Sequence, residues 1–228
     1  MLVGHTLKSI HGYGAFVDLV IEENMHLLIG DGTNMRYYRQ GEKQPEKHQL
    51  LVVLDDGSFL VFTVAMYGGI YAFQGDFENP YYQGSIHKLN PLNEKFDEAY
   101  FENMIGDLKK DLSAKAFLAT EQRIPGLGNG VVQDILFNAA IHPKRKISTL
   151  SDLEKTDLLY STKGTLADMT ELGGRDTEKD FFGNWGGYKV ILSKNTYKDP
   201  CPNCGHEIVR EAYLGGTVYY CPECQRPK

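Results

Sequence analysis

Four cysteines carry the most specific chemistry in the chain. Cys201 and Cys204 form one C-x-x-C pair, Cys221 and Cys224 form a second, and sixteen residues separate them. Each pair turns tightly enough to aim two thiolates at one point, so two pairs make a tetrahedron around a single Zn²⁺. With all four ligands from protein, no position stays open for water, and the ion would hold the fold rather than activate a nucleophile. Gly205 follows the first pair, where a tight turn can face backbone N–H groups toward sulfur. Two disulfides are the alternative, but the N-terminus MLVGHTLKSI has no secretory apolar stretch, and the chain reads as cytoplasmic. A redox pair fits less well, because both pairs match and neither opens a helix.

A second group of residues suits an anion. IPGLGNG at 124–130 precedes the apolar segment VVQDILFNAAI, which places Gly128 and Asn129 at a helix start with several free N–H groups. That geometry suits a phosphate. Asn129 can cap the helix or donate its amide to a phosphate oxygen. The same pattern also serves as a plain helix–helix turn.

Charge is distributed to match. The net charge is -6, but residues 1–100 hold 7 basic and 13 acidic residues, whereas residues 101–228 hold 17 of each. Local clusters at Lys109–Lys110 and Lys144–Arg145–Lys146 can meet phosphates without a basic total. Hydrophobic residues make up 42% of the chain, a globular composition. No apolar run reaches the roughly 18 residues of a membrane helix.

These residues need positioning elements. QLLVVL and SFLVFTVAM around Asp56-Gly57 read as a hairpin, and LVIEEN with MHLLIG as another. Gly68-Gly69 punctuates before IYAF, and DFENPYYQGS reads as loop. The first ninety residues are therefore expected to be β. After Asn90, FDEAYFENMIGDLKK, SAKAFLATEQ and VVQDILFNAAI have helical spacing, with Val132, Ile135, Leu136 and Ala139 on one face. SDLEKTDLLYSTKGTLADMTEL reads as a helix or a helix pair. GGRDTEKDFFGNWGGY reads as a mobile glycine-rich loop. HEIVREAY and TVYYC flank Gly215-Gly216 and read as a β-hairpin between the cysteine pairs.

PGLGNGVVQDILFNAAIHPKR, a glycine-rich loop and a terminal four-Cys finger ending in CPECQ together resemble the formamidopyrimidine-DNA glycosylase / endonuclease VIII family. PEKHQLLVVLDDGS matches a family strand with its loop. The family excises oxidised bases and nicks the resulting abasic site. The resemblance implies an α+β fold. Its parts are an incomplete β-sandwich over 1–90, a helix-two-turns-helix domain over 91–195 and a zinc finger over 196–228. It implies one structural Zn²⁺ and a monomer that takes double-stranded DNA with damaged bases or abasic sites. Residue by residue, Asn129 falls on the phosphate-binding Asn after Gly128, His48 on the DNA-contacting His of PEKH, and Lys110 near a DNA-binding Lys. The segment 173–188 takes the place of the loop that folds over the flipped base.

Several positions depart from the family. Its members begin Pro-Glu-Leu-Pro-Glu, with the proline amine as nucleophile and the adjacent Glu handling protons. Here Met1 is followed by Leu2, and LVGHTLKSIHGYGAFVDL resembles the family's second strand region. No catalytic residue is therefore assigned. The expectation is either a fragment of the enzyme or a catalytically inactive DNA-binding relative. A zinc-ribbon interaction protein that binds no DNA is the remaining alternative. The family's strand lysine falls on Gly14 or Ala15. Its intercalating Arg-Arg-Phe becomes Ala65-Met66-Tyr67, leaving Tyr67 as the wedge. The finger's arginine becomes Gly216, which predicts a weaker grip on the DNA backbone.

Overall fold

The computed structural model describes residues 1–65 and 67–227. The chain divides into two compact units. Residues 1–88 and 178–186 form one, and residues 89–177 and 187–228 form the other.

In the first unit the apolar/polar alternation of the N-terminal segments produces two antiparallel sheets. Strands β1 (Ser9–Tyr13), β2 (Phe16–Glu22), β3 (Met25–Ile29) and β7 (Ile70–Gln74) pair in the order β1-β2-β3-β7. Strands β4 (Thr33–Tyr38), β5 (Leu50–Val53) and β6 (Phe59–Val64) pair in the order β4-β6-β5. Both expected hairpins form. β2 turns to β3 through Glu23-Asn24, with Asn24 at φ 62°. β5 turns to β6 through Asp56-Gly57, where the Asp56 carboxylate accepts from the Ser58 backbone at 2.8 Å. Leu19, Ile21, Leu27 and Ile29 of one sheet share a buried cluster with Leu60 and Phe62 of the other.

The segment read as loop at 76–85 is instead partly helical. Helix α1 spans Pro80–His87. The Asn79 side chain accepts from the N–H groups of Tyr81 and Tyr82, and Pro80 occupies the first turn, so Asn-Pro starts a helix here rather than a turn. Tyr82 fixes α1 in place. Its hydroxyl donates to buried Asp18 at 2.8 Å, and Asp18 also meets His26 Nδ1 at 3.0 Å. Burial first, then the Asp18 carboxylate, raises the phenol's pKa far above its ordinary value.

The second unit is built on α2 (Glu98–Gly106), α3 (Ala114–Ala119), α4 (Asn129–Asn138) and α5 (Asp152–Glu171), with the hairpin β8 (Val209–Tyr213) and β9 (Gly216–Tyr220). Val132, Ile135 and Leu136 are fully buried and Ala139 packs beside them, as the 3.6-residue spacing predicts. The 151–172 segment is one helix of 20 residues, not a pair, started by a capping box between Ser151 and Glu154. No helix of the described residues is long and apolar enough to cross a membrane.

Segment 173–188 is shared: its middle, 178–186, belongs with the sheets, because Phe181 packs on their core and its carbonyl accepts from Tyr37 N–H at 3.0 Å. β9 of the hairpin is bonded to α4 through Gln133 and Asn129.

Candidate metal centre and phosphate site

The four cysteine sulfurs all lie within 4.8 Å of one another. Cys201 and Cys224 are 3.8 Å apart, and Cys204 and Cys221 3.4 Å. A tetrahedron with ~2.3 Å metal–sulfur bonds has edges of about 3.8 Å. Covalent S–S bonds are ~2.05 Å, so the two-disulfide alternative does not fit. Burial works against ionising Cys201, yet backbone N–H groups of Asn203 and Cys204 outweigh it and hold this thiol down to about 7. Burial pushes Cys221 and Cys224 up, and neighbouring sulfurs add to the rise. Several thiolates this close need a cation between them, and the site fits a metal that prefers sulfur. Gly205 N–H, expected to face sulfur, donates to the Cys201 carbonyl at 2.8 Å. The second knuckle is locked by Gln225, fully buried, which accepts from Cys221 N–H and donates to the Ile141 carbonyl, both at 3.0 Å.

The hairpin reverses at Leu214 and Gly215, both with positive φ, 52° and 71°, as a two-residue turn requires. Its strand β9 lies against the start of α4. Asn129 Nδ2 donates to the Thr217 carbonyl at 3.0 Å. Gln133, one turn on and 3% exposed, donates to the same carbonyl at 3.1 Å and accepts from Tyr219 N–H at 3.2 Å. The helix cap is Gly128, so Asn129 is the first helical residue and not the cap. Gly216 faces the Asn129 amide, and a Cβ there would lie 3.4 Å from Nδ2. Gly130 faces the Arg175 guanidinium, which a Cβ would strike at Nη1. Lys115 is 3% exposed and its Nζ donates to the Tyr213 carbonyl at 2.7 Å, while burial lowers its pKa. Gln133, Gln225, Arg175 and Lys115 were not singled out in the sequence. For Gln133 a signal existed: a polar residue on the apolar face of a helix, four residues after Asn129.

The other expected residues are placed as follows. Lys110 is exposed between α2 and α3. The 144–146 cluster is not a free basic patch. Lys144 pairs with Glu211 at 2.6 Å, Arg145 is buried against Glu154 at 2.8 Å, and Lys146 donates to the Asp111 carbonyl at 3.1 Å. In the sheet unit, half-buried His48 precedes β5, and its Nδ1 donates to the Pro45 carbonyl at 3.1 Å, leaving Nε2 for another partner. Tyr67 is 94% exposed at φ 66°, on the connection from β6 to β7. Met66 lies outside the described residues.

No protein-family model matches the chain. A formamidopyrimidine-DNA glycosylase of Brevibacillus brevis is 30% identical over 236 residues, covering 99% of this chain and 83% of that protein. The chain belongs to the formamidopyrimidine-DNA glycosylase family. Solved structures agree on the fold. The MutM (Fpg) protein of Thermus thermophilus aligns with a TM-score of 0.83 at 24% identity, covering 99% of this chain and 85% of its own. The Lactococcus lactis Fpg, solved in complex with DNA containing an abasic site, aligns with a TM-score of 0.82 at 23% identity, covering 98% and 83%. For this family member, the glycine turn at α4 and the four-cysteine hairpin form one bonded assembly.

Proposed function

We propose that this chain binds double-stranded DNA containing a damaged base or an abasic site, as part of a cytoplasmic base-excision repair glycosylase. The carrying observation is the bonding of the hairpin to the first turn of α4 through Asn129 and Gln133. It presents a helix N-terminus and a metal-fastened turn side by side, a form suited to one strand's phosphates. Relatives in the same family, one of them solved with abasic-site DNA, support the same reading. The α3–α4 region serves as the helix-two-turns-helix, and Zn²⁺ is the ion of the four thiolates, in a structural role. Exposed Lys110, His48 through Nε2 and Gly128 through its backbone add backbone contacts. Tyr67, exposed on a left-handed residue, is the wedge that enters the stack.

The test is a titration of an abasic-site duplex with the zinc-loaded chain. Binding should weaken with added salt, by about one counterion slope unit per phosphate contact. Asn129→Ala should weaken it by about tenfold at low salt. Unchanged affinity would remove the phosphate role, and a fall in melting temperature with unchanged affinity would reduce Asn129 to a hairpin fastener. A salt-independent or absent interaction would favour the zinc-ribbon interaction protein.

A further inference from the structure

Hydrogen bonds that admit only one sense fix the side-chain amide of Asn129. They start at a backbone donor. Tyr219 N–H can only donate, so the Gln133 atom that meets it at 3.2 Å is Oε1. Nε2 is then the other end of the Gln133 amide, and it meets acceptors alone. These are the Thr217 carbonyl at 3.1 Å, the Asn129 carbonyl at 3.1 Å and, more loosely, Asn129 Oδ1 at 3.4 Å. The Thr217 carbonyl can only accept, and Asn129 Nδ2 donates to it at 3.0 Å. Turning the Asn129 amide over would set its oxygen against the Thr217 oxygen and its nitrogen against Gln133 Nε2. Both contacts would repel, so the network decides the sense of the amide. One Nδ2 hydrogen goes to Thr217. An amide nitrogen carries two, and Asn129 is exposed, so the second is left for a partner that accepts. Gln133 is buried, so water competes little for its bonds.

We propose that Gln133 is a positioning residue that commits the Asn129 amide to donation and so makes it a contact for an oxyanion of the DNA strand. A carboxamide that turns over presents its oxygen as readily as its nitrogen, and the oxygen repels a phosphate. Gln133 removes that alternative by tying the Asn129 oxygen, the Thr217 carbonyl and the Tyr219 backbone into one set. It touches no phosphate and acts through Asn129. Helical spacing makes this possible: residues four apart share a face of α4, so a buried side chain at 133 reaches the exposed one at 129. The inference rests on the DNA-binding reading above and adds to it the residue that orients the donor.

The test is a double-mutant cycle on the zinc-loaded chain, with a dye-labelled abasic-site duplex read by anisotropy. Gln133→Met keeps the reach of the side chain and removes its hydrogen bonds. It should weaken binding by about fivefold, the worth of one hydrogen bond. Asn129→Ala should cost about tenfold in wild type but only about twofold in the Gln133→Met background, where the amide is no longer oriented. A purely structural Gln133 would lower the melting temperature and leave the Asn129→Ala cost at about tenfold in both backgrounds, which overturns the proposal. Proton NMR of the DNA-free chain supplies a second readout. One Asn129 side-chain amide proton, identified by its loss in Asn129→Ala, should be shifted downfield by the Thr217 carbonyl. In Gln133→Met it should return to the position of a solvated carboxamide. A solvated position already in wild type would overturn the proposal, whether or not the variant folds. If wild type binds the duplex with steep salt dependence and the cycle shows no coupling, the positioning role falls and the DNA reading stands. If no duplex binds, both fall.

Discussion

The four-cysteine hairpin and the 178–186 turn solve the same local problem by different physics. Both reverse the chain over a few residues, but the hairpin packs Tyr219, Cys201 and Cys221 into a small cluster with Phe137 and Leu192, whereas the turn lends only Phe181 to the sheet core. The hairpin brings four cysteine sulfurs to one point and is tied by Gln225 to the Ile141 carbonyl and by Gln133 to β9. The turn is fastened by one carboxylate and one phenyl ring. The hairpin, so fixed, presents backbone and polar groups at α4. The turn presents aromatic faces. Donors held at fixed positions suit phosphates, which is the chemistry proposed for the hairpin and the start of α4.

Removing the metal should separate the two most strongly. Structural zinc supplies on the order of 10 kcal/mol of apparent folding free energy. A chelator, or Cys221→Ser, should abolish DNA binding and loosen the hairpin, while iodide quenching of Trp185 stays the same. A parallel change at Trp185 would mean that the two regions are not independent. Acid offers the same separation more gradually. Protons compete with the ion for thiolates, so zinc affinity falls as pH drops below neutrality. Asp180 behaves differently. Backbone hydrogen bonding from Asn184 lowers its pKa below the ordinary value. A lowered carboxylate contributes stability that is present above its unfolded value and is lost only as pH falls through the folded one. Zinc release, read with a chromophoric chelator, should therefore precede any change in Trp185 anisotropy as the solution is acidified from neutrality.

Gln133→Leu is the next largest perturbation. It would leave the buried Tyr219 N–H without its acceptor, at a cost of about 1–3 kcal/mol. The melting temperature should fall with the four thiolates still able to bind metal. An unchanged melting temperature would show that the cysteines alone seat the hairpin.

The same contrast explains what could be read from sequence. Cysteine spacing fixes a tetrahedron locally, so the metal centre is legible before any fold is known. The faces of α4 and the two β-hairpins are legible because periodicity and turn residues are also local. Helix α1 is not, because Asn79-Pro80 opens either a turn or a helix, and burial of Tyr82 against Asp18, distant in sequence, decides which. The 178–186 turn looks mobile in sequence for a similar reason. Its glycines are visible, but its anchor, Phe181 on Tyr37, joins residues far apart in the chain, which no local pattern reveals. The basic cluster at 144–146 misleads in the opposite sense. Its charges are real, but Glu211, Glu154 and the Asp111 carbonyl already engage them.

The smallest expected effect is a gain. Gly216 stands where the resemblance places an arginine, and a Cβ there meets Asn129 at ordinary contact distance. Gly216→Arg should therefore be accommodated at the hairpin's end without displacing the amide. A guanidinium added beside the α4 N-terminus would supply a bidentate phosphate donor that the hairpin now lacks. Affinity for abasic-site duplex should rise by about fivefold at low salt, and the salt slope should steepen by about one. A gain without a steeper slope would mean that the arginine packs on protein instead. A loss would mean that the close approach of Gly216 to Asn129 matters more than the charge.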